Sequence, residues 1–338
     1  MKVTTVGVDL AKRVFQLHGV DQHGRVVLRK RLSRSKLTEC LTHLPPCLIG
    51  MEACGGAHYW ARKFQQMGHE VKLISPQFIK PYVKSNKNDY NDAEAICEAV
   101  SRPSMRFVPV KSVAQQDIQA LHRIRERLIG ARTALVNQTR GLLAEYGIVL
   151  PQGVNQVRKH LPCILEDADN GLTSLAREVF ADLYEHLQAV DEQIAAAERR
   201  IERVFGSHPI CQKLAQVNGV GRFIATALVA AVGEGREFRN GRGLAAWLGL
   251  VPRQHSTAGK PKLLGISKRG NCYLRKLLIH GGRAVVRHAQ GKTDAQSRWV
   301  TALKQRRGGN IAAVAVANKN ARILWALLTR GEDYRQAA

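Results

Sequence analysis

A chain of 338 residues is too long for one compact core, so two or three domains are expected. Its 45% hydrophobic content is that of a globular protein able to bury real cores. The net charge of +25, from 52 Lys+Arg against 27 Asp+Glu, argues against a cationic partner and favours nucleic acid ahead of an anionic membrane.

The excess is uneven: Val251 to Ala338 holds 18 basic and 3 acidic residues, so the last quarter of the chain carries most of it. Seven cysteines are scattered, with no C-x-x-C pair and no histidine at zinc-finger spacing. That pattern predicts a reducing cytosol and neither a disulfide framework nor a structural zinc site. No signal peptide or transmembrane helix is expected.

Val3 to Leu10 reads as a strand rich in β-branched residues and closing on an acid, Asp9. Arg13 to Val20 and Arg25 to Leu32 read as two more, with Asp21-Gln22-His23-Gly24 as a hairpin connection. Ser35 to His43 is a short helix, and Leu48 to Met51 a buried central strand ending at Glu52. A helix follows Gly55-Gly56 to about Met67, then a strand from Val71 to Ser75. Three sequential strands and then strand–helix alternation predict a mixed sheet covered by helices, an α/β domain.

Lys87-Asn88-Asp89-Tyr90-Asn91-Asp92 opens a helix predicted over 89–100. With Asp89 at the cap, Asp92 lies one turn inside on the same face, about 5–6 Å away at Cβ. Such a pair repels unless a cation or a run of N–H groups lies between its members. Taken alone it is equally a helix cap and a dipole-favoured acid. Asp9 and Glu52, each closing a strand, change the balance. If both strand ends share one sheet edge, four carboxylates form a cluster suited to two Mg²⁺ ions about 3.5–4 Å apart, as phosphodiester chemistry requires.

Residues 103–111 read as an irregular linker. Val113 to Tyr146 is one long helix, with Leu121, Ile124, Leu128, Ala131, Leu135, Gln138 and Leu142 at alternating steps of three and four. After a break containing Pro151, Gly153 and Pro162, a second helix runs from about Ser174 to Phe205. Its stripe is Phe180, Leu183, Leu187, Val190, Ile194, Ala197, Ile201 and Val204. The two can pack as a hairpin within one chain or as a coiled coil with another.

Gln216 to Gly221 forms a turn opening an apolar helix from Phe223 to Val232. Its Gly219-x-Gly221 backbone either presents N–H groups to a phosphate or forms a simple tight turn with no ligand. Arg239 to Gly249 is a packing helix. Val251 to Lys260 and Gly265 to Gly270 read as two basic loops carrying Arg253, Lys260, Lys268 and Arg269, a phosphate-binding surface around Ser256. A hydroxyl among cations can attack a phosphodiester when a metal site lies near, and otherwise serves as a turn serine. Cys272 to His288 and Ile311 to Leu328 are helices, and 331–338 a loose tail.

The order of these features resembles the DEDD-type insertion-sequence transposases, a family of RNA-guided serine recombinases. The resemblance rests on Gly7-Val8-Asp9-Leu10-Ala11-Lys12, Met51-Glu52-Ala53, Asn88 to Ala93, Asn218 to Gly221, Pro252 to Ser256 and Ile266 to Gly270. It implies a ribonuclease-H-like (RuvC-like) α/β domain over 1–102, a long α-helical coiled-coil middle over 103–206, and a mainly α C-terminal transposase domain over 207–330. It further implies Asp9, Glu52, Asp89 and Asp92 as the Mg²⁺-binding (or Mn²⁺-binding) tetrad. The serine nucleophile falls at Ser256, and a one-residue shift would put Thr257 there. A transposase of this kind is expected to be a homo-oligomer in the bacterial cytosol, holding element and target DNA and a structured noncoding guide RNA. A metal-dependent junction endonuclease using activated water needs the acids without Ser256. A non-enzymatic nucleic-acid scaffold needs neither.

Overall fold

The computed structural model describes residues 2–84, 88–257 and 259–334; Lys87, Ala258 and residues 335–338 of the predicted tail lie outside them. The chain divides into two compact units, Met1–Val113 and Ala114–Ala338.

The first unit is built on a six-stranded sheet. β1 (Thr5–Leu10), β2 (Val14–Val20) and β3 (Val26–Ser33) form an antiparallel meander. β4 (Leu48–Glu52) runs parallel to β1, and β5 (Glu70–Ile74) parallel to β4. The order is β3-β2-β1-β4-β5-β6. The edge strand β6 (Phe107–Val108) pairs antiparallel with β5 inside the stretch predicted as a linker. Two half-buried residues carry no periodicity, so nothing in the local sequence marks this strand.

Strand alternation sorts the residues between two faces. Val6, Val8, Phe15, Leu17, Ile49 and Met51 share a core with α1 (Arg34–Thr42) and α2 (Ala57–Gln66). Gly7 and Gly50 face the other way, onto α4 (Asp89–Val100), which follows the short α3 (Pro76–Ile79). A Cβ on Gly7 would stand 2.1 Å from the Ala93 carbonyl oxygen, and one on Gly50 2.8 Å from Val100 Cβ. Absent side chains therefore let α4 lie directly on β1 and β4.

In the second unit, α5 (Val113–Ala144) and α7 (Ser174–Ser207) pack antiparallel within the chain. The Arg125–Glu198 and Arg132–Asp191 ion pairs fix that direction. The stripe predicted on α7 is the covered one, with Phe180, Leu187, Val190, Ile194, Ala197 and Ile201 all buried. The stripe predicted on α5 is not: Ile124 is 52% exposed and Leu142 39%, and Ala131 and Gln138 also face outward. The covered face lies one position round, through Ile118, His122, Val136, Thr139 and Leu143, with Leu135 common to both. Two polar residues on that face hid it from a count of apolar positions. The predicted break contains a helix, α6 (Val154–Glu166), which tolerates Pro162 and closes the tip through Val157 and Leu161.

The rest of this unit is α8 (Pro209–Leu214), α9 (Arg222–Val232), α10 (Gly241–Trp247), a hairpin of β7 (Pro252–Thr257) and β8 (Lys260–Ile266), then α11 (Cys272–His288), α12 (Ala295–Arg307) and α13 (Gly309–Arg330). By length and composition α13 could cross a membrane. Here it is a core helix, burying Val316, Ala317, Ala321, Leu324 and Leu327. In residues 331–334 of the predicted tail, the Gly331 carbonyl oxygen accepts from Lys213 at 2.6 Å and Asp333 pairs with Lys213 at 3.2 Å.

Candidate metal centre and nucleic-acid interface

The acids of the first unit come together because three elements end at one place. β1 and β4 are parallel, and their last paired rung is Val8 with Met51. Asp9 and Glu52 each follow that rung, with the parity of Gly7 and Gly50, and so lie on the face covered by α4. The first turn of α4 brings Asp89 and Asp92 to the same edge. Asn88, rather than Asp89, is the cap: its side chain accepts the Tyr90 N–H at 3.1 Å. Both aspartates are thereby free of capping duty.

One carboxylate oxygen from each of Asp9, Asp89 and Asp92 lies within 4.8 Å of the others. Asp9 is half-buried, and its pKa is pushed up to about 6, first by burial and then by the charges of Asp92, Asp89 and Glu52. Glu52 stands close enough to act on Asp9 but falls outside the tight trio.

The second unit carries the other predicted residues. What read as two basic loops is a solvent-exposed antiparallel hairpin, followed by a turn. Ser256 sits on β7 opposite Pro261, and Thr257 opposite Lys260. The Gln254 side-chain amide donates to Ser256 Oγ at 2.7 Å. The hairpin carries Arg253, Lys260 and Lys262 and no carboxylate. Lys268 and Arg269 lie beyond it, in a turn that packs on the end of α10. There the Lys268 N–H donates to the Gly249 carbonyl, and Arg275 donates to the Arg269 carbonyl at 2.8 Å.

Gly219 and Gly221 play different parts. Gly219 has φ of +82°, and a Cβ there would stand 2.7 Å from the Gly281 carbonyl oxygen, so it is required for packing on α11. Gly221 caps α9 in extended backbone, with open space where a Cβ would be.

Two family models match this chain: one described as "Transposase" over residues 6–148, and one described as "Transposase IS116/IS110/IS902 family" over 211–298. A probable family 20 transposase of Pseudomonas aeruginosa is 53% identical over 336 residues, covering 99% of each chain. The transposase for insertion sequence element IS1111A of Coxiella burnetii is 51% identical, over 99% of this chain and 92% of the relative. The transposase for insertion sequence element IS1328 of Yersinia enterocolitica is 43% identical, over 97% and 98%. The chain belongs to the DEDD-type insertion-sequence transposases. It is a DNA transposase.

The acid cluster of the transposase fits a divalent cation on two observations. Three converging carboxylates repel one another in a half-buried place, and a cation relieves that repulsion. Gln16, paired with Asp9 across β1 and β2, is 3% exposed, and its carbonyl oxygen has no hydrogen-bond partner among the described residues. Oxygen donors of this kind suit Mg²⁺ or Mn²⁺ and not a soft metal. Sequence reasoning missed Gln16; its one signal, shared with His18, was a polar residue inside a largely apolar strand.

Proposed function

We propose that this transposase cuts and rejoins DNA through a divalent metal held by Asp9, Glu52, Asp89 and Asp92 and a covalent link to Ser256. The convergence of the Asp9, Asp89 and Asp92 oxygens within 4.8 Å carries this reading. Bound there, Mg²⁺ would supply positive charge to a phosphodiester and to the oxygen that leaves it.

The chain's own residues do the rest. The Ser256 hydroxyl gives up its proton and forms a new ester bond to phosphorus as a sugar oxygen–phosphorus bond breaks. The freed sugar oxygen takes a proton and becomes a hydroxyl. In rejoining, a hydroxyl of the other strand attacks the phosphoserine and releases serine, so no external energy source is needed. The Gln254 amide, donating to Ser256 Oγ, favours the negative charge that builds on that oxygen. Arg253, Lys260, Lys268 and Arg269 hold phosphates, and Gly221 offers the backbone of the α9 terminus. Gly219 contributes by shaping that turn.

In this reading residues 1–102 are a RuvC-like metal domain, 103–206 the spacer, and 207–330 the domain carrying the serine. The outward stripe of Ile124, Ala131 and Leu142 on α5 suits a coiled coil with a second chain. An oligomer would supply the several active sites that strand exchange needs. Target choice falls to a guide RNA, consistent with basic surfaces that hold backbones without a base-reading motif. Free, scattered cysteines fit action on nucleoid DNA in the bacterial cytosol.

A denaturing gel for protein attached to labelled junction DNA, with the flanking noncoding RNA and Mg²⁺, tests the proposal. An adduct lost in Ser256→Ala and Asp92→Ala but kept in Thr257→Ala supports it. Cleavage with no adduct, indifferent to Ser256, would leave a hydrolytic junction endonuclease in its place.

A further inference from the structure

The first unit has a second chemically distinctive place at the same end of its sheet. β1 ends at Leu10, β2 starts at Val14, β3 ends at Ser33, and α1 and α2 begin there. On the α1 and α2 side these ends enclose a concavity of about 560 Å³. Four cations line it, Lys12, Arg13, Arg34 and Lys63, beside Tyr59 and Trp60. No carboxylate lines it among the described residues.

In this unit four other basic side chains pair with acids: Arg29 with Glu94, Lys72 with Glu70, Lys84 with Glu94 and Glu98, Arg102 with Glu98. Two of the four cations of the concavity are held in other ways. The Arg34 guanidinium lies 5.6 Å from the Tyr59 ring centre and 5.0 Å from that of Trp60. Lys63 is 5.4 Å from the Trp60 ring and donates to Thr38 Oγ1 at 2.9 Å. Rings and a hydroxyl fix the direction of these two charges without neutralising them. Four positive charges from three segments, two of them fixed in direction and none with an acid partner among the described residues, complement a ligand of repeating negative charge. The 46% exposed Tyr59 adds an apolar face for a sugar or base.

We propose that this concavity grips the phosphate backbone of a nucleic-acid strand and leads it across the end of the sheet towards Asp9. The shared ligand chemistry is the phosphodiester chain, whether of DNA or of RNA. The purpose given to the strand rests on the metal-centre reading above; the binding itself does not.

The test measures fluorescence anisotropy of labelled oligonucleotides of one sequence, as single- and double-stranded DNA and RNA, across a series of KCl concentrations. EDTA is present throughout, so neither metal binding nor an adduct at Ser256 enters the reading. Removing the cation from one phosphate lowers the slope of log affinity against log salt by about 0.7 for single strands and about 0.9 for duplex DNA. Arg34→Ala/Lys63→Ala should lower the slope by roughly 1.4–1.8 for at least one of the four polymers. Lys80→Ala/Arg106→Ala removes the same charge from exposed positions of this unit and should leave the slope almost unchanged.

Ser35→Glu guards against a folding artefact. It adds an acid to the first turn of α1, where the helix dipole favours one, and leaves the rings packed. It should weaken the same polymer about 10-fold or more. The polymer affected identifies the source as DNA or RNA. Equal slopes for the two double variants on all four polymers, or full binding by Ser35→Glu, would overturn the proposal.

Discussion

Gly7 of β1 lies against Ala93 of α4 so closely that a Cβ would stand 2.1 Å from the Ala93 carbonyl oxygen. That approach is what carries Asp92, at the start of the same helix, to Asp9, two residues along the same strand. Gly7→Ala must push α4 away. Overpacking of this kind costs about 1–3 kcal/mol, so the first unit should still fold under mild conditions. DNA cleavage should fall much further, by about 100-fold, since a 1 Å misplacement can cost that much. A urea unfolding curve alongside a cleavage time course separates the two effects; equal losses would mean that the helix is not what positions the acids.

The acid cluster should respond to metal without any reaction taking place. A metal that binds the folded cluster and not the unfolded chain would stabilise the folded state by about 2.7 kcal/mol at 100 times its Kd. The melting temperature of the wild type should therefore rise with MgCl₂ or MnCl₂. Asp92→Asn should melt higher than wild type in EDTA, because one charge of the trio is gone, and should respond little to metal. Gln16→Leu should behave similarly. It removes a buried unpaired oxygen, which costs about 1–3 kcal/mol, and with it one candidate ligand. If Gln16→Leu melts lower in EDTA and keeps the full metal response, Gln16 is not part of the centre.

The positions of Asp9, Asp89 and Asp92, whose oxygens the fold brings together, were legible in the sequence, and that of Gln16 was not, for physical reasons. Asp9, Glu52 and the 89–92 pair stand at strand ends and a helix start, positions that β-branched runs and helix formers mark locally. Gln16 becomes meaningful only through its register with Asp9 across β2, and register depends on a partner strand. The concavity at Arg34 and Lys63 likewise gathers residues from three separate segments. The hairpin bearing Ser256 reads as loop because its strands are exposed at every described position but Ile266, so no alternation of apolar and polar residues marks them. On α5 the error came from His122 and Thr139, polar residues that the fold buries.

The hydrogen bond from Gln254 to Ser256 makes its own prediction. A donor held on the attacking oxygen stabilises charge as it forms, and losing such a donor typically costs about 10²–10³ in rate when it is well aligned. This donor sits on an exposed strand, where water competes, so Gln254→Ala should slow adduct formation by about 10-fold. DNA affinity should not change, because Gln254 carries no charge. A single-turnover time course on the denaturing gel checks it. An unchanged rate would assign Gln254 a purely structural place on the hairpin.

His122 should make the second unit sensitive to acid. It is 2% exposed, bonded through one ring nitrogen to the Tyr273 hydroxyl and through the other to Thr226, both at 2.9 Å. Burial first, then Arg125, lowers its pKa from 6.5 to about 4. The unfolded chain therefore takes up a proton between pH 6.5 and pH 4 while the folded chain does not. Stability contributed here is complete above pH 6.5, is lost as pH falls through that window, and levels off below pH 4. The loss amounts to about 3 kcal/mol at most. Asp9, raised to about 6, acts with the opposite sign in the first unit, so the effect must be read as a difference. His122→Gln keeps a donor and an acceptor but does not titrate. Urea unfolding of both proteins at pH 7.5 and pH 4.5 should therefore show the wild type losing more stability than His122→Gln. Equal losses would mean that His122 takes up its proton in the folded state, and that the Tyr273 and Thr226 contacts accommodate the charge.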